Sequence, residues 1–160
     1  MRLGYMPMCV ELICIAREAG GKLEQAQAAR VVARAGIEGD RYFSAVKKHP
    51  GQDITFIEAE EIERFNLDNN SSIGLLSTRR NVVTRGVRLS RLVGKEFTVG
   101  TVRFRGVQLC EPCATLGANL ESTGLSTASV VAKFLHRAGL RADALSSGTI
   151  FVGDVLNEVA

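Results

Sequence analysis

The spacing of apolar residues along the chain changes period several times, and each change predicts an element. Residues 9–17, CVELICIAR, are rich in Val and Ile and run into the turn signal Ala19-Gly20-Gly21, which predicts an opening strand. Residues 23–35, LEQAQAARVVARA, leave two readings open. Their alanine content suits a helix, whereas the Gly36 and Gly39-Asp40 signals that follow suit a solvated strand ending in a turn. In DITFI, at 53–57, Ile54 and Phe56 share one face of a strand, and the following EAEEIERFN sets Ala59, Ile62 and Phe65 along a helical stripe. That pattern predicts a strand running into a short helix.

Further strands are expected at 81–83 and 96–99, with one helical turn at 89–93. In TVRFRGVQLC the apolar set is Val102 and Phe104 before Gly106 but Val107 and Leu109 after it, so the period-two phase slips by one residue at a glycine. Such a slip predicts a β-bulge. The strongest helical pattern spans 126–138, where Val130, Val131, Phe134, Leu135 and Ala138 recur at helical spacing. Ser126 or Thr127 can cap it and Gly139 can stop it, which leaves His136 and Arg137 in the last turn to offset the helix dipole. Two closing strands are expected at 140–145 and 150–155. Short strands punctuated by glycine predict a mainly β core with a few short helices.

Composition narrows the class. Hydrophobic residues at 46% and charged residues at 23% over 160 positions support one continuous core, so residues 1–160 are expected to form one domain. Lys plus Arg number 20 against 17 Asp plus Glu, and aromatics reach only 6%, which argues against a nucleic-acid binder. The apolar opening segment has one basic residue before Gly4 and is interrupted by Glu11 and Arg17, and no stretch approaches a membrane span. The expected location is therefore the cytoplasm, with the four cysteines as reduced thiols.

Cys9 and Cys14 lie five apart on one predicted strand, point to opposite faces and read as small packed residues. Cys110 and Cys113 form CEPC, a spacing shared by half-sites for zinc and by dithiol redox pairs. A zinc site lacks further ligands here, since His49 and His136 are isolated, and no helix is predicted to open directly after the motif as in thioredoxin-like proteins. What CEPC offers is a thiol at a strand exit, held by Pro112, whose reactivity a nearby cation would raise by favouring thiolate. Cations abound in STRRNVVTRGVRLSRLVG. Arg88 and Arg91 read as solvated edge residues, while Arg79, Arg80 and Asn81 combine guanidinium forks with an amide that can donate and accept, a pairing suited to an anionic heteroaromatic ligand. Asp40 and Arg41 follow Gly39 in a turn that presents a carboxylate beside a guanidinium, either as a local surface ion pair or as part of a site.

These pieces occur in an ordered pattern: GIEGDRY at 36–42, TFIEAEEIE at 55–63, RRNVVTRGV at 79–87, LVGKEFTVG at 92–100, LCEPC at 109–113, and HRAGLRAD followed by GTIFVGD at 148–154. Together they resemble stand-alone bacterial MOSC proteins, MOSC being the C-terminal domain of molybdenum cofactor sulfurases. The resemblance implies a pyruvate-kinase-like β-barrel and favours strand for residues 23–35. It implies molybdenum cofactor (molybdopterin) binding, with Cys113 matching the thiol that carries sulfur or ligates molybdenum. Arg79 and Asn81 match cofactor-contacting positions of amidoxime-reducing relatives, and Asp40 and Arg41 match a recurrent turn; Arg80 joins them in the expected pocket. The chain has no room for those relatives' extra N-terminal region, nor for the pyridoxal-phosphate desulfurase domain of sulfurases. The implied roles are thus a sulfur carrier fed by a separate cysteine desulfurase, or a small molybdoenzyme reducing N-hydroxylated compounds. A CxxC dithiol protein without molybdenum is the alternative.

Overall fold

The computed structural model describes residues 7–46, 49–112, 116–117, 120 and 123–160. Among these residues eleven strands appear in chain order: β1 (Cys9–Ala16), β2 (Leu23–Ala26), β3 (Ala28–Val32), β4 (Gly36–Ile37), β5 (Ile54–Glu58), β6 (Val82–Arg85), β7 (Glu96–Val99), β8 (Val102–Leu109), β9 (Leu140–Ala144), β10 (Gly148–Phe151) and β11 (Leu156–Glu158). Among the described residues there are also helix α1 (Ala59–Asn69), helix α2 (Thr127–Lys133) and a 3₁₀ turn at Leu89–Leu92. Eight strands form one sheet in the order β11-β7-β8-β9-β5-β6-β1-β2, and β10-β3-β4 form a second. The large sheet curls on itself. Leu156 N–H donates to Met8 O at 2.9 Å and Val10 N–H to Asp154 O at 2.9 Å, bonds that bring the β11 end back against β1 and make the sheet barrel-like. All neighbours run antiparallel except β5 and β6, whose parallel pairing requires a crossover, and α1 provides it.

The barrel interior follows from alternation. In β8, Val102 and Phe104 face inward while Arg103 and Arg105 face out. Phe56, Phe97 and Phe104 then meet with ring centroids 5.5–5.7 Å apart. The register of β8 against β9 shifts between Gly106 and Gln108, where the sequence predicts the bulge. Glycine is needed there because a Cβ would sit 2.1 Å from Leu92 O. A second cluster, Phe65, Cys110, Leu116, Leu120, Val130, Phe134 and Ala138, packs α1 and α2 outside the barrel, with Phe65 stacked on Phe134 at 4.8 Å.

One expectation is met and one changes. The segment 23–35, open between helix and strand by its own residues and favoured as strand by the resemblance, holds two strands: β2 pairs with β1 and β3 with β10, and Ala29 and Val31 alternate inward. Small alanines fit a barrel wall as readily as a helix, so pairing decides. The helix expected at 126–138 is only Thr127–Lys133, capped by Ser126 as predicted, and α1 is the longer helix. Leu135 is 49% exposed rather than packed. The chain must leave the helix early because Gly139, at φ +111°, lies against β5, and its O accepts from Cys110 N–H at 2.7 Å. Among the described residues no helix is long and apolar enough to cross a membrane.

At Gly139 an added Cβ would lie 2.1 Å from Phe56 O, on a backbone conformation that L side chains avoid. Gly139→Ala is therefore expected to destabilise the fold by about 2–4 kcal/mol, read as a lower urea midpoint at unchanged slope.

Candidate functional site

Where the β1–β2 turn, the 39–42 turn, the segment entering β6, the end of β8 and the start of β9 meet, they enclose a cleft of about 560 Å³. Arg41, Arg79, Arg80 and Arg141 line it, with Tyr42, Thr78, Gln108, Cys110 and Glu111. Strand geometry explains the gathering. Arg141 points outward from β9 by alternation, Gln108 does so from β8 after the bulge, and Arg79 and Arg80 lie at the crossover's return into β6.

The turn at 39–42 anchors this assembly from beneath. Asp40 is buried, and its Oδ1 accepts from Ala16 N–H and from Arg41 Nη1, both at 3.1 Å, while Oδ2 accepts from Tyr42 N–H at 3.2 Å. The Arg41 side chain is itself 8% exposed, and its Nη2 donates to Arg79 O at 3.0 Å. Arg41 also lies 4.4 Å from the centroid of the half-exposed Tyr42 ring, a cation–π contact. Arg79 sits at φ +61°, unusual for a residue with a long side chain, and its Nη2 is tied to Gly21 O at 2.7 Å. Arg80 Nε donates to Ala138 O at 2.9 Å, and Arg80 O accepts from Cys14 Sγ at 3.0 Å. The Arg41, Arg79 and Arg80 guanidinium groups are thus each fixed by a backbone carbonyl.

The structure therefore brings Arg41, Arg79 and Arg80 together, with Asp40 as the buried support of Arg41. Asn81 sits differently: it is 1% exposed, and its Oδ1 accepts from Thr55 N–H and Oγ1 at 3.1 Å, while Nδ2 donates to Cys14 O at 3.4 Å. Its amide ties β1 to β5 at the entry to β6, below the cleft. Cys113 lies outside the described residues; Glu111 before it and Leu116 after it both line the cleft. Sequence reading missed Tyr42, Thr78, Gln108 and Arg141 as lining residues. Arg141 lay within the quoted HRAGLRAD, but its face depends on the register with β8.

Cys14 and Cys110 behave as packed groups. Burial pushes Cys14 up to about 11, against the opposing pull of Arg41 and with a smaller push from Asp40. Burial also raises Cys110, with Arg80 and Arg141 working against it. Neither thiol is poised as thiolate at neutral pH.

A separate groove lies beside α1, lined by Glu58, Glu61, Arg64, Arg88, His136 and Arg137. Arg137 reaches to 3.7 Å from Glu61 Oε2 instead of compensating the dipole of α2, which has already ended at Lys133. Arg88 is 64% exposed, as expected of an edge residue. Burial, then repulsion from Glu61, raises Glu58 from 4.5 to about 7, opposed by the Leu89 N–H it accepts.

Two outcomes follow. Asp40→Ala would leave Arg41 buried without its partner and is expected to cost roughly 3–5 kcal/mol in denaturant titration. For Glu58, the native state keeps a proton between pH 4.5 and about 7 that the unfolded chain has already lost. Stability should therefore fall as pH rises through that window and level off above it. Because Glu58 is partly solvated, the drop should be about 1 kcal/mol. Glu58→Gln should flatten it in chemical denaturation at pH 5 and pH 8.

The profile of the MOSC domain matches residues 44–157. No curated protein matches the chain by sequence. Among solved structures, the chain is similar to the YuaD protein of Bacillus subtilis, with a TM-score of 0.81 at 19% identity over 94% of each chain. It is also similar to YiiM from Geobacillus stearothermophilus, with a TM-score of 0.69 at 16% identity over 96% of this chain and 76% of that one. For YiiM from Escherichia coli the values are 0.67 and 15%, over 96% and 71%. At these identities the solved structures establish the fold, while the profile covers most of the length, and the chain belongs to the MOSC domain family, which is linked to the molybdenum cofactor.

Proposed function

We propose that the chain binds molybdopterin in the arginine-lined cleft and acts through Cys113, as a sulfur carrier in cofactor sulfuration or as a small reductase of N-hydroxylated compounds. The observation that carries this reading is the convergence of Arg41, Arg79, Arg80 and Arg141 on one cleft that is also lined by Glu111 and Leu116, which flank Cys113 in the sequence. Guanidinium forks match phosphate oxygens, the Tyr42 ring offers a stacking surface to a flat heterocycle, and the Gln108 amide can donate and accept at its edge.

The cationic lining of the cleft fits a cofactor that carries a phosphate and brings its own metal. Among the described residues no group of three His, Cys, Asp or Glu side chains could hold a metal ion. Cys113 would be the protein residue that holds molybdenum, adding one soft thiolate to the sulfurs of the cofactor itself. When bound, the cofactor supplies two-electron redox chemistry at molybdenum. The chain's part is to neutralise the phosphate with Arg79, Arg80 and Arg141, to orient the ring, and to present the Cys113 thiol. Those same cations would favour thiolate at Cys113. In the carrier role a separate cysteine desulfurase supplies the sulfur. Cys110, 3% exposed within the outer cluster, supports Cys113 as the working thiol over a dithiol cycle.

The test is anaerobic titration with molybdopterin. Wild type should bind, and Arg79→Ala combined with Arg80→Ala should weaken binding at least about tenfold, with a shallower salt dependence. Cys113→Ser should keep phosphate-dependent binding but lose persulfide formation or N-hydroxyl reduction, whichever the wild type performs. Equal loss in Cys110→Ser and Cys113→Ser would favour the dithiol alternative. Binding indifferent to the arginine changes would overturn the assignment of the cleft.

A further inference from the structure

The groove beside α1 has a volume of about 190 Å³, and its charges are loosely held. Arg88 and Arg137 approach Glu61 only to 4.0 and 3.7 Å, outside hydrogen-bond range, and among the described residues Arg64 has no ion pair. The arginines of the cleft spend N–H groups on carbonyls, whereas these three keep theirs uncommitted. Glu58 lines the same groove, half-buried. It stands at the N-cap of α1 without capping it; its carboxyl accepts from Leu89 N–H instead and has no ion pair among the described residues. Leu89 and Leu109 add an apolar stretch to the lining.

Groups of this kind select their ligand. Guanidinium forks take planar oxyanions through paired, parallel bonds. A carboxyl kept neutral by burial has an O–H to donate, and the strongest acceptor for it is a second, ionised carboxylate. Glu61 narrows the choice, because its negative charge on the same wall disfavours a dianion more than a monoanion. The leucines suit a short aliphatic chain.

We propose that this groove binds a short aliphatic carboxylate, its oxygens held by the Arg88 and Arg64 guanidinium groups and by a hydrogen bond donated from the Glu58 carboxyl. The site is separate from the arginine cleft and does not rest on the cofactor reading.

Glu58 makes such binding depend on pH. The groups that face it are Glu60 and Glu61 on its own helix, Arg88 and Leu89 N–H at the start of the 3₁₀ turn, and Arg64, His136 and Arg137 around the groove. Burial, then repulsion from Glu61, keeps its proton on up to about 7. Below that pH Glu58 donates to the ligand; above it, a second carboxylate repels the ligand. Affinity should therefore fall about tenfold from pH 6 to pH 8.

The experiment is a chemical-shift titration of the whole chain with butyrate at both pH values and constant ionic strength, with butyramide and sulfate for comparison. Butyrate should shift the resonances of residues 58–61, 88–89 and 136–139. At pH 6 butyramide, which lacks the charge, and sulfate, a dianion, should each bind at least about tenfold more weakly. Arg88→Ala should weaken butyrate about tenfold at both pH values. Glu58→Gln, whose amide donates at any pH, should bind butyrate within about threefold of wild type at pH 6 and equally well at pH 8. Absence of butyrate-induced shifts at these residues, or sulfate bound as tightly as butyrate, would overturn the site. A pH dependence that persists in Glu58→Gln would assign the titration to His136 and overturn the part given to Glu58.

Discussion

A buried carboxylate sets the shape of the cleft. Asp40 reaches back from its turn to the last residue of β1 through Ala16 N–H, and forward to Arg41, whose guanidinium in turn holds Arg79 O. Isolating either charge in the interior would be strongly unfavourable, so the pair fixes three chain segments at once. The left-handed backbone of Arg79 is the visible consequence. Such a conformation persists only where its surroundings over-determine it, and here the carbonyl is held by Arg41 while the side chain is held by Gly21 O.

The barrel supplies the rigid frame around this pair. Its aromatic interior is independent of the cleft, whereas the outer helical cluster is joined to it through one corner. Arg80 bonds Ala138 O and Cys110 bonds Gly139 O, so consecutive carbonyls tie the crossover return, the β8 exit and the approach to β9 together. Cys110 is consequently part of the packing under the cleft floor. A cationic surface mounted on strand ends and anchored carbonyl by carbonyl loses little conformational freedom when an anion arrives, which favours affinity.

Much of this was legible in the sequence because it is local. The phase slip at Gly106 marks the bulge, the stripe of Ala59, Ile62 and Phe65 marks α1, and the arginine pair at 79–80 marks the cationic wall. What was not legible depends on distant partners. By its own residues the alanine-rich segment stayed open between helix and strand, a choice the resemblance tipped to strand and the hydrogen bonds of β1 and β10 complete. Asn81 looked like a ligand contact, yet its amide is engaged by Thr55, 26 residues earlier, and by Cys14. The early end of α2 follows from the close approach of Gly139 to Phe56.

The central claim is that the arginine cleft and Cys113 act on one molybdenum cofactor. The most direct measurement is anomalous diffraction at the molybdenum edge from crystals of protein loaded anaerobically with molybdopterin. The account predicts a molybdenum peak at the rim of the cleft, bonded to Cys113 Sγ, with the cofactor phosphate among Arg79, Arg80 and Arg141. A peak elsewhere on the molecule, or a cofactor seated with its phosphate away from those arginines, would contradict it.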